Sequence, residues 1–264
     1  MFTTHFKMTA QPFVEGLPVD RLQRDERIQQ GLARLEYLAQ SGTVALITGH
    51  TGVGKSSLIK LFLDSLSRNR YSPLYIHLTH GVPAGGILRL IVRSLGEVPK
   101  RGKESLFLQI LEKTKASEPM TLLAIDEAHL LPPVTLTDLR LLVSSALSDR
   151  PPLKIVLCGQ EPLRDELKRT CHADLLHRIS VRYHMPPLNR DQTATYIDTQ
   201  MRGVGASEKV FEPETKSLIH DYANGFPRQI NNIATACLLN AAAKNLQKVN
   251  AELLNATMAE FHLP

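Results

Sequence analysis

Apolar positions along the 264-residue chain fall into two regimes. Up to about residue 187, short unbroken apolar runs alternate with stretches whose apolar residues recur every three or four positions. The runs "TVALIT" (43–48), "PLYIHL" (73–78), "TLLAID" (121–126) and "LKIVLCG" (153–159) have strand length, and "RISVRYHM" (178–185) has the pattern of a fifth, less buried strand. Helical spacing puts Ile28, Leu32, Leu35 and Leu38 on one face of 27–40, which Gly42 ends. Further helices are predicted from "GKSSLIKLFLDSLSR", over 86–96 and over 105–117, with "EVPKRGKES" a polar loop between the last two. Strands alternating with helices predict an α/β fold with a five-stranded parallel sheet covered on both faces. After "PPLNR" the regime changes to four successive helices, "RDQTATYIDTQMR", "PETKSLIHDYAN", "PRQINNIATACLLNAAAKN" and "NAELLNATMAEF". The pattern thus divides the chain into an irregular lead over 1–27, an α/β core over 28–187 and an all-helical C-terminal lid over 188–264.

Composition adds direction. A hydrophobic content of 43% supports a packed core and excludes disorder. The net charge of +5 is uneven: residues 1–185 hold 24 Lys/Arg against 18 Asp/Glu, residues 186–264 seven against eight. A basic front part points to an acidic partner, nucleic acid first, against the plainer reading of a mildly basic surface. No run of 18 apolar residues predicts a membrane helix, and "MFTTHFKMTAQPF" lacks the parts of a signal peptide, so the expected location is cytoplasmic, away from membranes. Cys158, Cys171 and Cys237 are odd in number and far apart, and imply no disulfide framework. His77, His80, His129, His172, His177 and His184 lack the paired spacing of a metal site, "CHADLLH" included, and read as satisfied or exposed histidines.

The candidate chemistry begins at "GHTGVGKSS" (49–57), which fits G-x-x-x-x-G-K-[ST] between a strand and a helix. Gly49, Gly52 and Gly54 let backbone N–H groups approach phosphate oxygens, and His50, Thr51, Val53 and Ser57 complete the cradle. Lys55 is expected to reach the β- and γ-phosphates of a bound nucleoside triphosphate, and the Ser56 hydroxyl to ligate Mg²⁺. About 70 residues on, "LLAIDEAHL" delivers Asp126 to the carboxyl end of a strand, where it can hold the Mg²⁺ shell, with Glu127 beside it to deprotonate the attacking water. Gln160 ends the strand "LKIVLCG"; if that strand lies between the two motif strands, Gln160 sits near the γ-phosphate and the water. Arg178 and Arg182 flank or occupy the fifth strand, either solvated or reaching a neighbouring subunit's γ-phosphate. Arg228 follows Pro227 at a helix start in the lid, a place from which an arginine can report the γ-phosphate.

The ordered set "GHTGVGKSS", "LLAIDEAHL", "IVLCGQEPL", "HRISVRYHMPPL", "GFPRQINNI" resembles the AAA+ ATPases, in particular the ExeA-type group that includes the transposition helpers TnsC, TniB and, more distantly, IstB. The resemblance runs over nearly the whole chain. It implies a P-loop core with a helical lid, Gln160 as sensor 1, Arg178 as arginine finger and Arg228 as sensor 2. It also implies an ATP- and Mg²⁺-dependent ATPase that assembles as a ring or helical filament on duplex DNA and activates or directs a transposase or other transposition protein. Lys100, Arg101 and Lys103 of "PKRGK" are the densest point of a segment, 89–115, with seven Lys/Arg against three Glu, and are the expected phosphate contacts. The alternatives are a protein-binding switch or loader and an ExeA-like secretion-assembly ATPase. The latter group carries a membrane span and a cell-wall-binding region after the ATPase, and the chain reaches Pro264 with neither, which ranks it second. The group often restrains its catalytic Glu with an Asn near the end of the second strand; "YIHLTH" offers His77, Thr79 or His80 there, so no restraining residue is assigned.

Overall fold

The computed structural model describes residues 1–115, 118–144 and 153–261, so the last two positions of the helix expected over 105–117 lie outside the described residues. In chain order the elements are α1 (Phe2–His5), α2 (Glu26–Gln40), β1 (Val44–Thr48), α3 (Lys55–Ser65), β2 (Tyr71–His77), α4 (Gly86–Ser94), α5 (Lys103–Lys115), β3 (Met120–Asp126), α6 (Pro133–Ser144), β4 (Leu153–Gly159), α7 (Glu161–Leu167), α8 (Ala173–Arg178), β5 (Ile179–His184), α9 (Arg190–Arg202), α10 (Pro213–Ala223), α11 (Pro227–Ala243) and α12 (Ala251–Phe261). They form two units. The first comprises Met1–Asp25, Gly52–Gly54 and the described residues from Pro186 on; the second comprises Glu26–Thr51 and the described residues of Lys55–Met185.

In the second unit the five strands are parallel in the order β2-β3-β4-β1-β5. β1, β3 and β4 are buried along their whole length, as central strands of a sheet covered on both faces are. β5 alternates buried and exposed positions, the signature of an edge strand. β2, on the other edge, starts two residues before Pro73; a proline costs no ladder bond where its nitrogen faces no second strand. Leu46, Ile87, Ile91, Leu123, Ile125, Leu139 and Leu157 lie in one continuous core. α6, α7 and α8 carry weak sequence signals. α6 opens on "PPVTLTD", with prolines and β-branched residues that disfavour helix, and the other two are too short for a period to show.

The first unit corrects the expectation of an irregular lead. α1 and a 3-10 turn at Val19–Arg21 lie within it, and Phe2, Phe6, Met8 and Phe13 are buried with residues of α9–α12. Scattered aromatics lack helical or strand period, yet each is large enough to fill a gap between helices. α9 opens with a capping box, Asn189 accepting from the Gln192 N–H while the Gln192 side chain accepts from the Asn189 N–H.

Gly225 marks a tight approach in this unit. Its φ is +71°, and a Cβ there would lie 2.0 Å from the Leu188 carbonyl oxygen, while its own carbonyl accepts from the Leu188 N–H. Gly16 shares a positive φ of +76° but faces open space. Gly16→Ala is expected to cost on the order of 1 kcal/mol, the backbone term alone. Gly225→Ala is expected to cost upwards of about 4 kcal/mol, because backbone has to move as well. Urea denaturation of the two variants checks this; equal midpoints would mean the Leu188–Gly225 approach is not tight.

Candidate nucleotide-binding and hydrolysis site

β1 ends at Thr48 and α3 starts at Lys55, so the glycine loop is a strand-to-helix turn at the carboxyl edge of the sheet. Gly52 and Gly54 have φ of +74° and +110°, values that side chains rarely adopt. The Lys55 ammonium is buried and donates to the carbonyls of Gly49 and His50, both at 2.9 Å. Val53 is buried, and His50 and Thr51 are exposed. Ser56 and Ser57 lie in the first turn of α3, both half-buried.

β4 separates β1 from β3 in the sheet, which brings the motif residues to one edge. The Ser56 hydroxyl donates to Asp126 Oδ2 at 2.6 Å, across 70 residues of sequence. Asp126 is fully buried at the end of β3. Burial alone would raise its pKa; hydrogen bonds from Ser56, Tyr75, Cys158 and the Glu127 N–H outweigh that and hold the carboxyl below the ordinary aspartate range. The same burial, with the Asp126 charge, pushes the Tyr75 hydroxyl well above its usual pKa, so it stays a donor, 2.8 Å from Oδ2. Buried beside Asp126, the Cys158 thiol is likewise raised.

Glu127 follows with φ 57° and ψ 35°, left-handed backbone that costs a non-glycine residue about 1–3 kcal/mol. Its carboxylate is partly exposed, with Oε2 3.3 Å from His129 Nδ1. Gln160 occupies the N-cap position of α7 without a side-chain capping bond, and its amide nitrogen lies 3.2 Å from His129 Nε2.

Lys55, Ser56, Asp126, Glu127 and Gln160 thus share one edge of the second unit. The arginines make other contacts. Arg178 closes α8 and is exposed, and its side chain makes no hydrogen bond or ion pair with the described residues; Arg182, on β5, donates to the Leu176 carbonyl. In the first unit, the Arg228 N–H donates to the Gly52 carbonyl and its guanidinium pairs with Glu15 at 2.7 Å. A Cβ on Gly52 would lie 2.8 Å from the Arg228 Cβ, so glycine is required there for this approach.

The "PKRGK" loop needs one correction. Lys100 and Arg101 are exposed, and Gln109 pins the loop through the Lys100 N–H and the Val98 carbonyl. Lys103 is already helical, and its ammonium pairs at 2.7 Å with Asp138, a carboxylate only 4% exposed. A buried carboxylate needs that cation, which takes Lys103 out of the set of free phosphate contacts.

Sequence reasoning missed Tyr75 and His129 as members of the site. Tyr75 is in register with Ala124, two residues before Asp126, and strand register is invisible to a single sequence. His129 sits inside the acidic motif itself and could have been found there. His77 pairs in register with Asp126, and its Nδ1 lies 3.6 Å from Oδ2.

Residues 38–167 match the family model for the AAA domain. A curated relative, General secretion pathway protein A of Aeromonas hydrophila, is 28% identical over 256 residues, covering 94% of this chain but only 46% of the relative. The chain therefore spans less than half the length of that protein. Among solved structures, the ORC2 protein of Aeropyrum pernix in its ADP form superposes with a TM-score of 0.70 at 18% identity, covering 94% of this chain and 72% of that one. Drosophila ORC bound to DNA superposes with a TM-score of 0.74 at 17% identity, covering 100% of this chain and 66% of that one. Among the described residues no helix is long and apolar enough to cross a membrane. Sheet order, glycine loop, acidic strand end and these likenesses together give the chain the P-loop AAA+ fold.

Proposed function

We propose that the chain is an ATP-hydrolysing, DNA-binding switch that oligomerises on duplex DNA and serves a transposase as helper. The observation that carries the ATPase part is the 2.6 Å bond from Ser56 to Asp126, which ties the glycine loop to the acidic strand end. Hard oxygen donors of this kind, a hydroxyl and a carboxylate held deprotonated, suit Mg²⁺, which Ser56 and Asp126 would hold. When bound, the ion neutralises charge on the β- and γ-phosphates. The chain's own residues do the rest. Lys55 and the loop N–H groups bind the phosphates. Glu127 takes a proton from water as the water oxygen bonds to the γ-phosphorus and the bond to the ADP oxygen breaks. Gln160 orients that water, and Arg178, free of partners among the described residues, reaches a neighbouring subunit's site.

The DNA part rests on the basic segment 89–115 and on likeness of fold to an ORC solved on DNA. Lys100 and Arg101 are the exposed cations of that loop, and phosphate contacts through them would be indifferent to sequence. Assembly lines up many such weak contacts, so binding is expected with ATP or a slowly hydrolysed analogue and little with ADP. In titrations at several salt concentrations, Lys100→Ala/Arg101→Ala is expected to flatten the log–log salt slope by about 0.9 for each phosphate that is no longer neutralised. Lys103 is left in place, since its removal would strand Asp138. An unchanged slope would clear the loop; no binding by wild type under any nucleotide would overturn the DNA reading. The second reading, a secretion-assembly ATPase, is favoured by the 28% identity to General secretion pathway protein A, and would then stand.

A further inference from the structure

The acidic end of β3 holds a side chain that the hydrolysis reading leaves without a task. His129 lies in the 3-10 turn Ala128–Leu130, directly after Glu127, and is 15% exposed. Its two ring nitrogens face two different candidate residues: Nδ1 is 3.3 Å from Glu127 Oε2, and Nε2 is 3.2 Å from the Gln160 amide nitrogen. Among the described residues no other side chain pairs with the Glu127 carboxylate. Nδ1 is buried and makes no aligned hydrogen bond among them, while Oε2 lies within hydrogen-bond distance of it. The approach is built into the backbone as well. A Cβ on Gly159 would lie 3.0 Å from the His129 backbone nitrogen, so glycine at the end of β4 lets the turn close on Gln160.

The proton placement follows from the partners. A carboxylate opposite Nδ1 calls for the proton there; a neutral imidazole is then bare at Nε2 and accepts from the Gln160 amide. We propose that His129 is a positioning residue that bridges Gln160 to Glu127, its Nδ1–H fixing the direction of the carboxylate and its Nε2 making that direction depend on the Gln160 amide. The proposal rests on the reading of Glu127 as general base. Glu127 stands on left-handed backbone, a strained conformation of the kind that persists where the surrounding structure over-determines it. The bridge also supplies a link between Gln160 and Glu127 that no residue of "YIHLTH" provides: among the described residues, His77 approaches Asp126 and Thr79 pairs with His80.

Two measurements test it. Nuclear magnetic resonance of the full chain labelled at histidine, without nucleotide, reads the tautomer of each of the ten imidazoles, with His129 assigned from the spectrum of His129→Gln. The expected state of His129 is Nδ1–H, shifting toward Nε2–H in Gln160→Ala. In steady-state ATPase assays, His129→Leu is expected to lower kcat about tenfold with ATP affinity within about twofold of wild type. His129→Gln, which offers one donor and one acceptor at similar reach, is expected to keep kcat within about threefold. Gln160→Ala added to His129→Leu is expected to lower kcat less than it does alone, because the link is already cut. An Nε2–H tautomer in wild type, a Gln variant no better than the folded Leu variant, or effects that multiply would each overturn the bridge. Wild type that neither binds nor hydrolyses ATP would overturn the ATPase reading instead, and the tautomer, which needs no nucleotide, would still decide the bridge.

Discussion

Lys55→Ala is expected to lose ATP binding, with affinity down by at least about a hundredfold, some 3 kcal/mol. Lys55 is the only side-chain cation in the "GHTGVGKSS" cradle, and its ammonium is buried among loop carbonyls rather than hydrated. A triphosphate brought into the loop without it keeps the N–H groups but loses the charge that offsets its own desolvation. The fold itself should survive, because Lys55 bonds only its own loop and α3 is anchored by the buried Leu58, Ile59 and Phe62. Circular dichroism checks the fold, and titration with a fluorescent ATP analogue checks the binding. A folded variant that still binds ATP tightly would remove the phosphate-cradle assignment.

The strands were legible because burial on both faces forces continuous apolar sequence: "LKIVLCG" is β4 to the residue, and "TLLAID" is β3 short of one. The lid helices were equally legible, "RDQTATYIDTQMR" coinciding with α9, whose Asn189 and Gln192 announce its start. What the sequence hid is what depends on a partner far along the chain. The burial of Phe2 and Phe6 depends on helices nearly 200 residues away. Lys103 looked free because Asp138, its partner, lies 35 positions on, in a helix that "PPVTLTD" does not advertise. At the site the division is the same. The glycine loop and the acidic pair are local motifs, each carrying its own chemistry, and could be read singly. Their meeting through Ser56 and Asp126, the Tyr75 hydroxyl on the buried carboxylate and the imidazole between Glu127 and Gln160 are consequences of strand order and register. The arginines are the sharpest case. Arg228 shows its place in the chain beside Pro227, yet its pairing with Glu15 could be read only from the folded first unit.

Glu127→Gln is expected to bind ATP as wild type does and to hydrolyse it about 10²–10⁴-fold more slowly. The substitution keeps the shape and removes the carboxylate proposed above to accept the water's proton. Asp126 cannot take over: it is fully buried, its oxygens already accept from Ser56, Tyr75 and the Glu127 N–H, and its pKa is held low, which makes it a poor base. Binding should be spared because the glycine loop lies between β1 and α3, not on β3. The left-handed backbone at 127 tolerates Gln about as well as Glu, so stability should change little. Slow hydrolysis with intact binding has a second consequence if ATP drives assembly: complexes on duplex DNA should outlast those of wild type. Single-turnover hydrolysis and the dissociation rate from DNA, measured on one preparation, check both. Turnover equal to wild type would take the base role from Glu127. Slowed turnover with unchanged DNA lifetime would separate hydrolysis from DNA release and favour the protein-binding switch over the DNA-assembled ATPase.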